Sequence, residues 1–258
     1  MWQDRTHILI GDAGLDRLGS STVMVVGLGG VGAAAAEMIA RAGVGHMIIL
    51  DSDTVSETNK NRQTIAFDST IGLRKTEVVA TKLRDINPEL DLRVTDVYLT
   101  EENVSSVVPQ DVDFLIDAID TLSPKLALIK YCVDRGIPLV SSMGSGAKYD
   151  MTKIRIADLS KSFNCPLAYM VRKKLRKMGI SKGFPVVFSE ELPDENAIVT
   201  MTREEMAEVS NKKSQVGTIS YLPAAFGLAC AQAALQTLLQ DCLNLSRRGD
   251  SNTRPPRP

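Results

Sequence analysis

Short apolar runs rich in β-branched residues alternate with longer stretches of helical period through the first half of this 258-residue chain. Such alternation predicts a mostly parallel sheet wrapped by helices, because parallel neighbours require a crossover between them. Thr22–Val26 (TVMVV) reads as a first strand, residues 31–42 as its helix, His46–Leu50 (HMIIL) as a second strand and 73–86 as the next helix. Further strands are expected at 92–94, 114–116 and 138–141. The second half is organised differently, with a strand at 153–157 (KIRIA), a basic helix, and a strand at 186–189. Within that helix Leu167, Met170, Val171, Leu175 and Met178 recur at helical spacing and should bury one face. Residues 191–215 are polar, carry Pro193 and read as a mobile loop; 222–239 reads as a final helix. The tail at 246–258, SRRGDSNTRPPRP, has nothing to bury and should be disordered. The pattern as a whole suits one domain over 1–245, divided into halves at 1–142 and 143–245.

Composition narrows the class without naming a chemistry. The chain is 44% hydrophobic and 24% charged, ordinary for a soluble globular protein. A formal net charge of −1 argues against an overall electrostatic grip on nucleic acid and leaves only local basic faces to supply one. Cys132, Cys165, Cys230 and Cys242 lie 33, 65 and 12 residues apart. None forms the C-x-x-C pairs of a structural zinc site, so neither zinc nor disulfides are expected. The N-terminal run has no basic leader before an apolar core, and Gln232, Gln236 and Pro223 interrupt the one long apolar stretch. A cytoplasmic protein with a buried final helix and no membrane span is expected.

Gly27-Leu28-Gly29-Gly30-Val31-Gly32 follows the first strand directly and opens a helix, the context in which a G-x-G-x-x-G loop cradles phosphate. Glycines let backbone approach the ligand, and the helix N-terminus presents N–H groups and the positive end of its dipole. Asp51 ends the second strand, 19 residues past Gly32, where a carboxylate can accept hydrogen bonds from ribose hydroxyls. A nicotinamide-dependent dehydrogenase would show the same loop and the same acid. The segment from Asp51 to Gln63, with Lys75 and Asp120 beyond it, separates the two readings. Hydride transfer needs an apolar slot; adenylyl transfer brings a carboxylate and a phosphate together and needs cations to offset their charge. An acid at the end of the fourth strand, Asp117 or Asp120, is placed to hold Mg²⁺.

Several motifs now occur together in order: R-x-x-x-L-I-G (residues 5–11), G-x-G-G-x-G, L-D-x-D-x-V, N-x-N-R-Q, I-G-x-x-K and D-x-x-D. Over residues 5–120 the chain resembles the ThiF/MoeB adenylyltransferases of the ubiquitin-activating type. The resemblance implies a Rossmann-like, doubly wound, mostly parallel α/β sheet with a C-terminal sheet and helix extension. It implies ATP and Mg²⁺ as cofactors: Gly27, Gly29, Gly30 and Gly32 cradle the nucleotide, Asp51 binds ribose with Asp53 close by, and Asp120 binds the metal. Asn59, Arg62, Gln63 and Lys75 would contact phosphates. Arg5 would reach the neighbouring subunit's site as an arginine finger, which implies a homodimer. Arg5, Arg62, Lys75 and Asp120 are thus the candidate catalytic residues.

The missing C-x-x-C pairs set the chain apart from the branch that activates a ubiquitin-like sulfur-carrier protein, although that activity stays open as the alternative. Cys165 is the candidate thiol for a relay of that kind. The segments SSMGSGAKYDMTKIRIADLSKS, PLAYMVRKKLRKMGISKG, VVFSEELP and GTISYLPAAFGL are similar to the tRNA threonylcarbamoyladenosine dehydratase branch. That likeness implies ATP-dependent ring closure on tRNA through an acyl adenylate, and leaves open a partnership with a cysteine desulfurase or sulfur-acceptor system. An internal substrate nucleophile would explain why only His7 and His46 exist and neither need act as base. The basic helix offers an RNA-facing stripe of Arg172, Lys173, Lys174, Arg176 and Lys177, which Lys161, Lys182, Lys212 and Lys213 extend.

Overall fold

Seven strands form one sheet in the order β3-β2-β1-β4-β5-β7-β6, all parallel except β6, which runs antiparallel to β7. The computed structural model describes residues 2–200 and 214–242. Its strands are β1 (Thr22–Val26), β2 (His46–Leu50), β3 (Asp91–Thr95), β4 (Phe114–Asp117), β5 (Leu139–Ser142), β6 (Ile154–Asp158) and β7 (Pro185–Ser189). Its helices are α1 (Asp4–Gly19), α2 (Gly32–Ala42), α3 (Lys75–Ile86), α4 (Val104–Val107), α5 (Leu122–Arg135), α6 (Pro166–Lys177) and α7 (Tyr221–Leu238). Among the described residues no helix is long and apolar enough to cross a membrane. The tail at 246–258 and both Lys212 and Lys213 lie outside the described residues.

Strand alternation sorts the core into two layers. Val23, Val25, Met47, Ile49, Phe114 and Ile116 face α2, α3 and α7, whereas Met24, Val26, Ile48, Leu50 and Leu115 face α4, α5 and α6. Both faces of the central strands are therefore dry, which is why they read as unbroken apolar runs. The chain winds outward from β1 to β3, then crosses back to β4 beside β1. The carboxyl ends of β1 and β4 diverge there, opening the crevice in which such sheets bind ligands.

Small residues set how closely the helices pack. α2 lays Ala33, Ala34, Ala35 and Ala36, all buried, against α7. A Cβ on Gly227 of α7 would stand 2.3 Å from the Val31 carbonyl oxygen and 2.9 Å from Ala34 Cβ. α7 is the buried packing helix expected at 222–239, lying between α2 and the sheet.

Three expectations need correction. The face that α6 buries is Ala168, Val171 and Leu175, while Met178 is 46% exposed. Val171 and Leu175 are buried as expected, whereas the small Ala168 is buried fully and Leu167 and Met170 only partly, because α6 packs closely on α5. Of the segment 191–215, residues 201–213 lie outside the described residues; the stretches that flank them are not loop but pair as an antiparallel ribbon, β8 (Ile198–Thr200) with β9 (Ser214–Val216). Neither α1 nor α5 is among the elements the pattern picked out. α1 buries only Gly14 and Leu18, kinks at Gly11 (φ 69°), and leaves Ile8 and Leu9 84% and 80% exposed.

Replacing Gly227 with valine should lower stability by at least ~2 kcal/mol, since neither backbone nor Ala34 can yield without separating α2 from α7. Urea denaturation followed by circular dichroism measures this.

Candidate active site

Backbone packing shapes the glycine loop before any ligand arrives. Gly27 has φ 89°, and a Cβ there would lie 2.9 Å from the Ala118 carbonyl oxygen, so the β1–α2 turn presses against the loop after β4. A Cβ on Gly32 would fall 1.7 Å from the Gly27 carbonyl oxygen, and one on Gly30 2.8 Å from the Arg62 carbonyl oxygen. Gly29 differs, for its nearest neighbour would be Gln63 Nε2 at 3.8 Å. Three of the glycines thus serve the turn and its packing, and Gly29 faces open space beside Gln63.

Asp51 closes β2 and locks this turn. Its Oδ2 accepts from Leu28 N at 2.6 Å and its Oδ1 from Asp53 N at 2.8 Å. Burial pushes the Asp51 carboxyl above its ordinary value, against the opposing pull of Lys75 and of the two backbone N–H donors. Lys75, first residue of α3, is buried, and its Nζ donates to Asp53 Oδ2 at 2.8 Å. The cation is therefore held at the mouth of β2 by an acid that is itself two-thirds exposed, with a side chain 67% accessible. Arg74 adds a second cation, a guanidinium, nearby, pairing with Asp96 and donating to the Ser52 carbonyl.

The segment before α3 folds over the glycines. Asn59 is buried and its Oδ1 accepts from Ser56 N, capping the short 3₁₀ turn Glu57–Asn59. Arg62 donates through Nη1 to the carbonyl of Thr58 and to Asn61 Oδ1, both at 2.9 Å. Gln63 Oε1 is buried and is the one orphaned side-chain acceptor among the described residues, beside Gly29. A buried acceptor without a donor costs about 1–3 kcal/mol, so this position suits a ligand that brings a hydrogen to it.

At the end of β4 the structure separates the two candidate acids. Asp117 is fully buried, its Oδ2 taking Lys125 Nζ at 2.7 Å and Ser141 Oγ at 2.6 Å, its Oδ1 taking Ile119 N at 3.1 Å. It is thereby excluded as the metal acid. Asp120 is exposed, two residues beyond the Ala118 that abuts Gly27. Lys125 was not among the sequence candidates. A signal existed, because Lys125 stands on the apolar stripe of Leu128, Ile129 and Cys132 at helical spacing, an unusual place for a cation without a buried partner.

Arg5 lies on α1, exposed, and among the described residues no contact joins it to this cluster. His46 opens β2 at the amino ends of the strands, opposite the crevice, and pairs with Asp91, and His7 on α1 pairs with Asp12. The second half joins through Asn61, whose Nδ2 donates to the Thr218 carbonyl at 3.1 Å. Thr218 also lines a cavity of about 170 Å³ with Ala147, Lys148, Tyr149, Ala197, Gly217 and Ile219. Lys148 is buried there, donating to the carbonyls of Asn164 and Ser189, both at 3.1 Å, and burial pushes its ammonium below the usual lysine range. Of the five cations expected to face RNA, Lys173, Lys174, Arg176 and Lys177 are exposed. Arg172 is half-buried and donates to the Ser162 carbonyl at 2.6 Å and to Ser162 Oγ, so it is a tether within the chain. Cys165 is buried at the N-cap of α6 and accepts from Ala168 N, a packing role that leaves no exposed thiol for a relay. Among the described residues no cluster of three metal-binding side chains occurs.

Comparison with known proteins bears on these groups together. The ThiF family model matches residues 4–254. This chain belongs to the ThiF family. A tRNA threonylcarbamoyladenosine dehydratase of Bacillus subtilis is 39% identical over 244 residues, spanning 92% of this chain and 94% of that one. The E. coli tRNA N6-threonylcarbamoyladenosine dehydratase, solved with AMP, superposes with a TM-score of 0.83 at 34% identity, covering 94% of this chain and 97% of that one. Its ATP complex gives a TM-score of 0.81 at 35% identity over the same shares. The E. coli molybdopterin-synthase adenylyltransferase is 32% identical over only 59% of this chain and 61% of its own.

Two outcomes follow from the buried groups. Lys125→Met strands the Asp117 carboxylate and should cost about 3–5 kcal/mol in thermal or urea unfolding, part of which Lys125→Met with Asp117→Asn restores. Burial pushes the Cys132 and Cys230 thiols up to about 12, so both stay protonated at pH 8. Iodoacetamide followed by peptide mass spectrometry should leave the two unmodified in native protein and alkylate them after denaturation.

Proposed function

We propose that this chain is an ATP-dependent dehydratase that closes a ring on threonylcarbamoyladenosine in tRNA. The observation that carries the proposal is the extent of likeness. The Bacillus subtilis dehydratase matches across both halves, whereas the adenylyltransferase that serves molybdopterin synthase matches over 59% of the chain. The second half, where a substrate other than a protein tail would be held, follows the dehydratases.

The chemistry assigned to the residues begins at the glycine loop. ATP lies with its phosphates along Gly27 to Gly32 and its ribose toward Asp51, which Leu28 N and Asp53 N already orient. Gln63 Oε1 gains a donor from the bound nucleotide. A substrate carboxylate oxygen attacks the α-phosphorus and pyrophosphate departs. The attack brings two anions together, and Arg62, after the short 3₁₀ turn, and Lys75, first residue of α3, offset that charge. A nucleophile within the threonylcarbamoyl group then attacks the activated acyl carbon and AMP leaves with the former carboxylate oxygen. The tRNA thus loses the atoms of one water, and no enzyme nucleophile is used.

Asp120 suits Mg²⁺: one exposed carboxylate at a phosphate site is the usual protein share of an ion otherwise held by phosphate oxygens and water. Bound there, the ion would neutralise phosphate charge. The dimer belongs to the same proposal. α1 carries Arg5 beside the exposed Trp2, Ile8 and Leu9, an apolar surface suited to a second copy whose site Arg5 would complete.

Nucleoside mass spectrometry of tRNA after incubation with ATP is the test. The modified adenosine should fall by the mass of one water, with AMP and pyrophosphate formed in equal amount. Pyrophosphate exchange stimulated only by a carrier protein would overturn the proposal. Arg62→Ala and Asp120→Ala should each lower kcat/KM by at least ~10²-fold while circular dichroism is unchanged.

A further inference from the structure

At the N-terminal end of α6 two aromatic rings stand in water although the apolar core is one turn away. Phe163 is 46% exposed and Tyr169 55% exposed. We propose that Phe163 and Tyr169 form a stacking platform for unpaired bases of the RNA substrate, flanked by the cations of α6 that take the adjoining phosphates. The proposal rests on the tRNA reading above and adds to it the surface and the mode of contact.

The loop that presents Phe163 is unusually well fixed. Asn164 holds a left-handed φ of 51°, its carbonyl accepts from buried Lys148, and its Nδ2 donates to the Glu190 carbonyl at 2.7 Å. Arg172 holds Ser162 from the other side. Phe163 itself packs edge-on against Phe188 of β7, with ring centroids 5.5 Å apart and planes at 68°. The ring is thus supported on one side and bare on the other. The edge contact with Phe188 fixes the ring and leaves a face outside the core, and a rigid ring loses little entropy when a base stacks on it. Lys148 and Arg172, two cations that the reaction does not use, are explained as parts of this scaffold.

Tyr169 donates its backbone N–H to the Cys165 carbonyl, so its ring rises from the first turn of α6, and Lys173 Nζ lies 5.9 Å from the ring centroid one turn on. Lys177 continues the same stripe at helical spacing. Between Leu159 and Ser189 the chain carries seven cations and no carboxylate. The acids just beyond are engaged, Glu190 with Arg155 at 3.0 Å and Glu191 with the backbone N–H groups of Tyr149 and Asp150. Aromatic faces interleaved with unopposed cations match single-stranded RNA, whose splayed bases offer π-faces and whose backbone offers regular negative charge. A protein partner of acidic character would need no bare rings.

Position supports the same occupant. Cys165 at the start of α6 lies against Gly144, just past the carboxyl end of β5, on the ATP side of the sheet. From there α6 runs 12 residues, about 18 Å at 1.5 Å per residue, toward the opposite edge. A loop stacked on Phe163 and Tyr169 would hold a neighbouring nucleotide near the crevice while its stem follows Lys173 to Lys177.

Fluorescence anisotropy with labelled substrate tRNA, alongside steady-state kinetics, tests this. Tyr169→Ala and Phe163→Ala should each weaken tRNA binding about tenfold and raise KM for tRNA, with kcat, ATP affinity and the salt slope of binding unchanged. Tyr169→Phe should bind like wild type and Tyr169→Leu like Tyr169→Ala. Lys173→Gln should instead lower the salt slope by about one. In a Trp2→Phe background, tryptophan placed by Tyr169→Trp should be quenched by substrate tRNA and not by duplex RNA. Wild-type tRNA affinity in the Phe163→Ala, Tyr169→Ala double variant, with the wild-type protein still dehydrating tRNA, would overturn the platform alone. If the wild-type protein neither binds nor dehydrates tRNA, platform and function fall together. Loss of binding to anionic phosphatidylserine vesicles in these variants, with tRNA binding intact, would assign the surface to membranes and refute the proposal.

Discussion

The turn from β1 into α2 leaves no room for a side chain at positions 27, 30 and 32, and the rest of the site is built outward from that constraint. A Cβ at position 32 would lie 1.7 Å from the Gly27 carbonyl oxygen, far inside any contact distance. Gly27 meets the loop after β4, and Gly30 meets the backbone of Arg62 and the ring of Pro223 in α7. One bare turn thereby gathers pieces from β4, the 56–63 segment and α7, which are remote in sequence. Asp51 fastens it through Leu28 N, so the acid suited to a ribose also sets the loop that a phosphate would meet. Binding geometry and local stability are the same contacts.

Charge is arranged in two tiers around that turn. The lower tier is dry: Asp117, Lys125 and Ser141 satisfy one another beneath the sheet edge, and Asp117 Oδ1 also takes Ile119 N. Moving two ions out of water costs several kcal/mol each, and the three donors on Asp117 offset this only because none is missing. What the arrangement secures is the direction of the backbone leaving β4, hence the position of Asp120. The upper tier is wet at its rim, with Lys75 on Asp53 and Arg74 on Asp96. Asp53 holds Lys75 at the mouth of β2, and because Asp53 remains mostly hydrated an incoming anion would share that cation at modest cost.

The central fold was legible because both faces of β1, β2 and β4 are buried, so strand periods and glycine spacing needed no partner outside the chain to make sense. The choice between Asp117 and Asp120 came from the family resemblance and not from position along the strand. Both suit the end of a strand, and only the buried Lys125, eight residues further on, distinguishes them. α1 escaped because Trp2, Ile8 and Leu9 obey no core within this chain. Arg172 escaped for a related reason. A charge run reads as uniformly solvated, yet position 172 neighbours the buried Val171 and Leu175 closely enough for its guanidinium to turn back to Ser162. In each case the missing information was a contact distant in sequence.

Arg172 also bears on how the second half came to differ from the nucleotide half. In the first half Lys75 and Arg74 pair with acids at the rim of the sheet; in the second, Lys148 and Arg172 are spent on the carbonyls of Asn164, Ser189 and Ser162 and on the Ser162 hydroxyl. Holding a lysine ammonium under cover against its desolvation is costly, and burial already pushes its proton affinity down. A fold would not retain that cost merely to close a surface loop which glycine or asparagine turns could close in water. The economical explanation is that the loop must keep one shape in the free protein, so that a large, flexible substrate meets a surface already formed and does not have to organise it on arrival.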